Sequence, residues 1–220
     1  MGLFSFMKSA GARVANMVGL GGEAETAEPA VLSDVDFALG LAGALRDKGV
    51  EINDLGIRYS NGTATIMGKS ASTEIAEKAV LIVGNHEGVG QVDDQIVVEI
   101  PEPPSVYRTV ESGDTLSKIS LEVYGVIHLY EGIFEANRPM LADPDEIFPG
   151  QVIRCPPVSP PIHTVAKGDT LGKIAKHWYG NAKRYEDIFE ANRGILANPD
   201  AIEVGQALTI PLGSEAPSIA

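Results

Sequence analysis

Cysteine occurs once in the 220 residues, at Cys155, so neither an internal disulfide nor a CxxC metal site can form. A solitary thiol fits a reducing compartment. Basic residues are also scarce: 17 Lys and Arg stand against 30 Asp and Glu, giving a formal net charge of −13. With no local basic patch to override it, that charge repels nucleic acid and anionic membrane surfaces. No apolar run approaches the roughly 20 residues of a membrane span. The start, MGLFSFMKSAGARVANMVGL, is interrupted by Lys8 and Arg13 before it could act as a secretory signal, and Phe6 stands where a myristoylation signal needs Ser or Thr. The four histidines, His86, His128, His163 and His177, show no H-x-x-x-H or H-E-x-x-H spacing, and His177 has only Trp178 beside it. Asp93 and Asp94 alternate faces of a strand, and Asp143 and Asp145 flank a proline without the glycine of a calcium loop. Nothing here pairs a nucleophile with a base or gathers metal ligands, so the reading is a cytoplasmic non-enzyme without nucleic-acid or membrane partners.

What is present is a foldable chain of one to three small domains, 44% apolar and 21% charged. Leu3, Phe6, Met7, Ala10, Val14 and Met17 share one helical face, which predicts an amphipathic N-terminal helix and linker over residues 1–29. With two cations it is expected to dock on a neighbouring domain rather than on a membrane.

An internal repeat settles much of the rest. TVESGDTLSKI from Thr109 returns as TVAKGDTLGKI from Thr164, and the offset of 55 residues holds without a gap through Pro156 and Pro211. Each copy reads as a short strand, a Gly-Asp-Thr turn with Thr115 or Thr170 as N-cap, a helix stopped at Gly125 or Gly180, a second helix from Tyr130 or Tyr185, and a closing strand. Both copies resemble LysM modules through Val110, Gly113, Asp114, Thr115, Leu116, Asn137, Gly150 and Gln151, and through Val165, Gly168, Asp169, Thr170, Leu171, Asn192, Gly205, Gln206, Ile210 and Pro211. Cys155 replaces the Ile210 of the second copy as a small buried apolar residue. The modules are expected over 107–157 and 162–212, with a tail over 213–220. A proline spacer, Pro156 to Pro161, is expected to hold them apart and leave the second independent.

Ahead of the repeats, Ser33 to Lys48 reads as a helix with Ser33 and Asp36 spaced like a capping box and Val35, Leu39, Ala42 and Leu45 on one apolar face. Asn61-Gly62 predicts a tight hairpin, Thr73 to Val83 a helix, and Val92 to Glu99 a strand. That order, with the phrase GVGQVDDQIVV, resembles a BON domain over residues 30–100. The fold class expected is therefore α+β: a BON-like α/β sandwich followed by two β-α-α-β LysM modules.

BON followed by LysM behind an MGLF start is similar to the potassium-binding BON-LysM proteins of bacteria; the second LysM is a departure. The resemblance implies a potassium ion held by main-chain oxygens, at positions matching Met7, Ala10, Ala12, Gly84, His86 and Val89. From the residues alone, Gly84, Gly88 and Gly90 read first as an ordinary helix stop, though they also allow the chain to turn carbonyls inward at a helix C-terminus, a cage suited to a large monovalent cation; the resemblance is what favours the cage. The LysM resemblance implies an alternative, N-acetylglucosamine polymers of peptidoglycan or chitin held by Gly113, Asp114, Thr115, Leu116 and Ile147, and by Gly168, Asp169, Thr170, Leu171 and Ile202. A protein-docking scaffold is the third reading.

Overall fold

The computed structural model describes residues 2–6 and 33–217. The chain divides into two compact units, residues 1–114 with 136–154 and residues 115–135 with 155–220, so the boundary passes through the first repeat.

In the first unit, helix α1 (Asp34–Asp47) starts where the Ser33 hydroxyl accepts the Asp36 N–H at 3.1 Å. Its inward residues are Ala38, Leu41 and Leu45; Val35 and Leu39 are 68% and 66% exposed, which corrects the face expected for it. Apolar residues in this helix form two overlapping i, i+3/i+4 series, and periodicity cannot choose between them. Packing does, because the chosen phase brings the Phe37 ring within 4.1 Å of Tyr59. Strands β2 (Asn53–Ser60) and β3 (Thr63–Ser72) form the hairpin, with Asn61 at φ 51° and Gly62 at φ 84°, the doubly left-handed turn that an Asn-Gly pair accommodates. Helix α2 (Thr73–Gly84), capped by Ser72, crosses over to β4 (Gln91–Ile100), which runs parallel beside β3. The helices bury Leu41, Leu45, Val80 and Val83 against Ile66, Val92 and Ile96 of the sheet.

Residues 2–5 are not helical. Gly2–Ser5 form strand β1, antiparallel to β4 from Gly2 opposite Asp94 to Ser5 opposite Gln91, and the sheet order is β1-β4-β3-β2. The free edge of β4 supplies backbone partners for a short segment that could not sustain a helix of its own. Residues 7–32, the remainder of the expected helix, lie outside the described residues.

The first repeat comprises β5 (Val106–Thr109), α3 (Leu116–Tyr124), α4 (Tyr130–Ala136) and β6 (Val152–Cys155), and β5 pairs with β6. The second comprises β7 (Ile162–Thr164), α5 (Leu171–Tyr179), α6 (Tyr185–Ala191) and β8 (Ala207–Thr209), and β7 pairs antiparallel with β8. The motif residues build this frame. Asp114 and Asp169 accept the N–H of Glu111 and Ala166 at 2.8 Å, closing the turn. Thr115 and Thr170 accept the N–H of Lys118 and Lys173 at 3.2 Å, opening the first helix of each copy. Gly125 and Gly180, at φ 74° and 70°, end those helices.

The proline spacer does not hold the second repeat away from the first. Within the second unit Ile127 N–H donates to the Trp178 carbonyl at 2.7 Å, Gly213 N–H donates to the Tyr124 carbonyl at 2.8 Å, and Arg184 Nη1 reaches the Gly125 carbonyl at 3.1 Å. A stiff segment fixes span but not direction. Gly125 and Gly180 then permit close approach: a Cβ at Gly125 would lie 2.8 Å from Gly213 N, and one at Gly180 would lie 3.3 Å from Ile127 Cδ1.

Candidate functional site

Helix α2 ends in a turn held by main-chain hydrogen bonds. Asn85 N–H donates to the Leu81 carbonyl at 2.9 Å and His86 N–H to that of Val83 at 3.2 Å, after which Val89 N–H turns back to the His86 carbonyl at 3.1 Å. Gly88 takes φ +91° and its carbonyl accepts the Tyr59 hydroxyl at 2.9 Å; Phe6 N–H donates to the Gly90 carbonyl at 2.8 Å. Among the described residues no group donates a hydrogen bond to the carbonyl of Gly84 or Val89, and both residues are buried. The Gly84 oxygen sits at the negative end of the α2 dipole.

Gly84 is also the point where the N-terminal segment meets this turn. A Cβ there would lie 2.1 Å from the Phe6 ring, so only glycine lets Phe6 lie on the backbone. Phe6, Asn61, Gly62, Thr63, Gly90 and Gln91 line an open cavity of about 290 Å³ beside it. Of the expected ion ligands, Gly84, His86 and Val89 fall in one turn, while Met7, Ala10 and Ala12 lie outside the described residues. Neutral carbonyls are the donor type that suits a weakly hydrated monovalent cation, whereas divalent ions take carboxylates.

Between Gly84 and His86, Asn85 is buried and turned towards the first repeat. Its Nδ2 donates to the Val152 carbonyl and its Oδ1 accepts the Val152 N–H, both at 2.8 Å. Two residues along β6, Asn137 binds Arg154 in the same way, at 2.8 and 2.9 Å. Alternate residues of a strand present their polar groups to the same edge. One edge of β6 therefore pairs with β5 and the other is closed by two asparagine amides. Arg154 then reaches α2: its Nη1 donates to the Glu74 carbonyl at 3.0 Å and lies 3.6 Å from Glu77, whose carboxylate accepts the N–H and hydroxyl of Ser105 at 2.7 Å each. Sequence reading missed Asn85, Glu77 and Arg154; the signal available was the pair Asn137 and Asn192, since Asn192 binds Thr209 of β8 in the same manner, at 2.8 and 2.9 Å.

The expected glycan residues are largely framework. Leu116 and Leu171 are 2% exposed and serve the core, and Asp114, Thr115, Asp169 and Thr170 hold turn and helix start as described. Gly113 and Gly168 are exposed at φ 84° and 88°, and Ile147 and Ile202 are half-buried. In the second repeat Ile195 and Val204, 57% and 70% exposed, add apolar surface.

The histidines have partners that spacing did not reveal. His128, His163 and His177 gather around Trp178, with the His128 and His177 rings stacked at 4.0 Å and His163 3.0 Å from Asp169. His86 lies apart, edge-on to Phe37 at 5.5 Å.

The LysM domain family matches residues 109–156 and 163–211, and the BON domain family matches residues 40–100. The chain is 41% identical over 157 residues to the potassium binding protein Kbp of Escherichia coli O6:H1, covering 71% of this chain and 99% of that protein. It is 39% identical over 111 residues to esterase Rv1288 of Mycobacterium tuberculosis, but spans 23% of that protein's length. An uncharacterized protein of Deinococcus radiodurans is 46% identical over 50 residues.

Proposed function

Because this chain belongs to the family of BON-LysM proteins that includes the potassium binding protein Kbp, we propose that it binds potassium and passes the bound state to its LysM modules. Carbonyls of Gly84, His86 and Val89 supply one side of the cage, and Met7, Ala10 and Ala12 of the N-terminal segment supply the other. The observation that carries this reading is the contact of Phe6 with Gly84, which brings the segment preceding Met7 onto the carbonyl turn. The protein acts by binding rather than catalysis. The LysM modules are coupling or docking units, since the ion turn and the Asn85 contact to β6 are consecutive in the chain. A cytoplasmic setting belongs to the same reading and accords with a single, buried thiol at Cys155.

Calorimetric titration with potassium and sodium in parallel tests it: one potassium site and little heat with sodium are expected, and equal heats for both ions, or none, overturn it. The two LysM matches support a second reading, binding of N-acetylglucosamine polymers along Gly168 and Ile202, where Ile195 and Val204 are exposed. A soluble chitin oligomer in the same calorimeter distinguishes it. Fractionation of cells checks the compartment.

A further inference from the structure

The contact between the second repeat and residues 124–128 is lined by imidazoles. The His128 and His177 rings stack 21° from parallel, and His128 Nε2 lies 3.1 Å from the His177 carbonyl. Trp178 stands edge-on to both rings at 5.6 Å, and its carbonyl holds the Ile127 N–H. On its other side the Trp178 indole N–H donates to His163 Nδ1 at 3.3 Å, while His163 Nε2 lies 3.0 Å from Asp169 Oδ2.

This arrangement sets the tautomer of His163 and opposes charge on the stacked pair. An indole N–H only donates, so His163 Nδ1 must accept, and a proton placed there would set two donors against each other. Two imidazolium ions stacked at 4.0 Å would set like charges in contact. The charged groups around the cluster come from each packed element: His128 from residues 126–129, His163 from β7, Asp169 from the following turn, Lys173 of α5 beside Asp169, and Arg184 at the Gly125 carbonyl. Asp169 favours a proton on His177, as does the C-terminal end of α5. Opposing it, burial together with His128 and His163 holds the His177 pKa below its ordinary value.

We infer that the stacked His128–His177 pair makes the joint between the two repeats acid-sensitive, closed while the pair is neutral and opened when it takes up protons. For a histidine whose folded-state pKa is depressed, the stabilisation is present above the unfolded value of about 6.5 and is lost as pH falls through the folded value. Acid therefore loosens the joint, and its release frees residues 124–128 and the face of α5 together.

Trp178 is the chain's one tryptophan, so its fluorescence reports this joint, and amide exchange of Ile127 reports the backbone bond across it. The full chain is titrated from about pH 8 to about pH 5, the range in which histidine changes charge. Protection of the Ile127 amide, corrected for intrinsic exchange, should fall about tenfold or more on the acid side, with Trp178 emission changing at the same midpoint. His128→Gln together with His177→Gln, neutral at every pH, should abolish that shared transition. The inference is overturned if Ile127 protection stays flat while the imidazoles titrate, or if the transition survives unchanged in the double variant. Should that variant fail to fold, imidazole NMR of the unaltered protein decides. A His177 midpoint depressed and shared with the Trp178 change supports the joint, and independent midpoints near about 6.5 refute it.

Discussion

Asn85 binds Val152 as a neighbouring strand would, donating to its carbonyl and accepting its N–H at 2.8 Å each. A side-chain amide reproduces the polar sequence of a peptide group, so it can close a strand edge from outside the sheet. Because Asn85 also caps α2, any displacement of the Gly84–Val89 turn is transmitted to β6 through two buried hydrogen bonds. That gives the proposed ion site a mechanical output without requiring a ligand to touch the repeat.

Replacing Asn85 by alanine should leave the N–H and carbonyl of Val152 buried and unpaired, at a cost of about 1–3 kcal/mol for each group. Asn85→Asp is the sharper variant. It keeps an acceptor for the Val152 N–H but turns oxygen towards the carbonyls of Val152 and Leu81, both of which now receive Nδ2. Urea unfolding should show both variants less stable, and under the coupling reading both should bind potassium more weakly.

Gly84→Ala should expel the Phe6 ring, since the new methyl would lie 2.1 Å from it. Overpacking of this kind costs about 1–3 kcal/mol, partly offset by the roughly 1 kcal/mol that alanine gains over glycine in a helix. Pairing it with Phe6→Ala removes the clash, so the two changes should be markedly non-additive in thermal unfolding. Potassium heats should be reduced in the single variant, because the segment carrying Met7 no longer reaches the turn.

What was legible in the sequence is local. Thr115 and Thr170 announce helix starts, and Asn61-Gly62 announces a hairpin, because cap and turn energies depend on a few neighbouring residues. Leu3 reads as helical in the sequence because the edge of β4 that recruits it lies some ninety positions away, with Leu3 opposite Asp93. Val35 faces solvent because its helix carries two apolar series and packing selects the one with Ala38, Leu41 and Leu45. The histidines around Trp178 are invisible to spacing, since they come from a loop, a strand and a helix that meet only after folding. Of the candidate ion site, the glycines and the helix stop could be read; Asn85 could not, because its partner is 67 residues distant.

Burial pushes the Asp94 pKa up, with Asp93 and Glu77 adding to the effect and the hydrogen bond from Ile96 N–H opposing it. A carboxylate with a raised folded-state pKa is most favourable when protonated, so its stabilisation is complete below the unfolded value of about 3.9 and lost as pH rises through the folded value. Asp94→Asn, which retains the acceptor for Ile96 N–H, should raise the melting temperature at neutral pH. The advantage should vanish in acid, and melting curves across pH check both halves.

Glu77 and Arg154 form a buried pair, with side chains 10% and 5% exposed. Removing one partner, as in Arg154→Met, strands the other and should cost about 3–5 kcal/mol, whereas the double variant Glu77→Leu with Arg154→Met should recover much of that loss. Recovery should be incomplete, because Ser105 would lose both of its bonds to Glu77. A double-mutant cycle in denaturant separates the pair from the serine contacts.

The docking of the second repeat makes its removal costly. A chain cut after Pro157 loses the Trp178 carbonyl that holds Ile127 N–H, the Gly213 N–H bound to the Tyr124 carbonyl, and the Arg184 guanidinium at Gly125. It also uncovers Ile127, which packs against Gly180. Exposed backbone groups can turn to water, so each lost bond counts for about 0.5–1.5 kcal/mol, and the truncated chain should be about 2–4 kcal/mol less stable. The loss should be concentrated in residues 115–135, which belong to the same compact unit as the second repeat. Hydrogen exchange resolved by residue should therefore show α3 and α4 deprotected while β2, β3 and the body of α2 keep their protection. A truncated chain with unchanged melting temperature and unchanged exchange in α3 and α4 would show that the second repeat contributes nothing to the first.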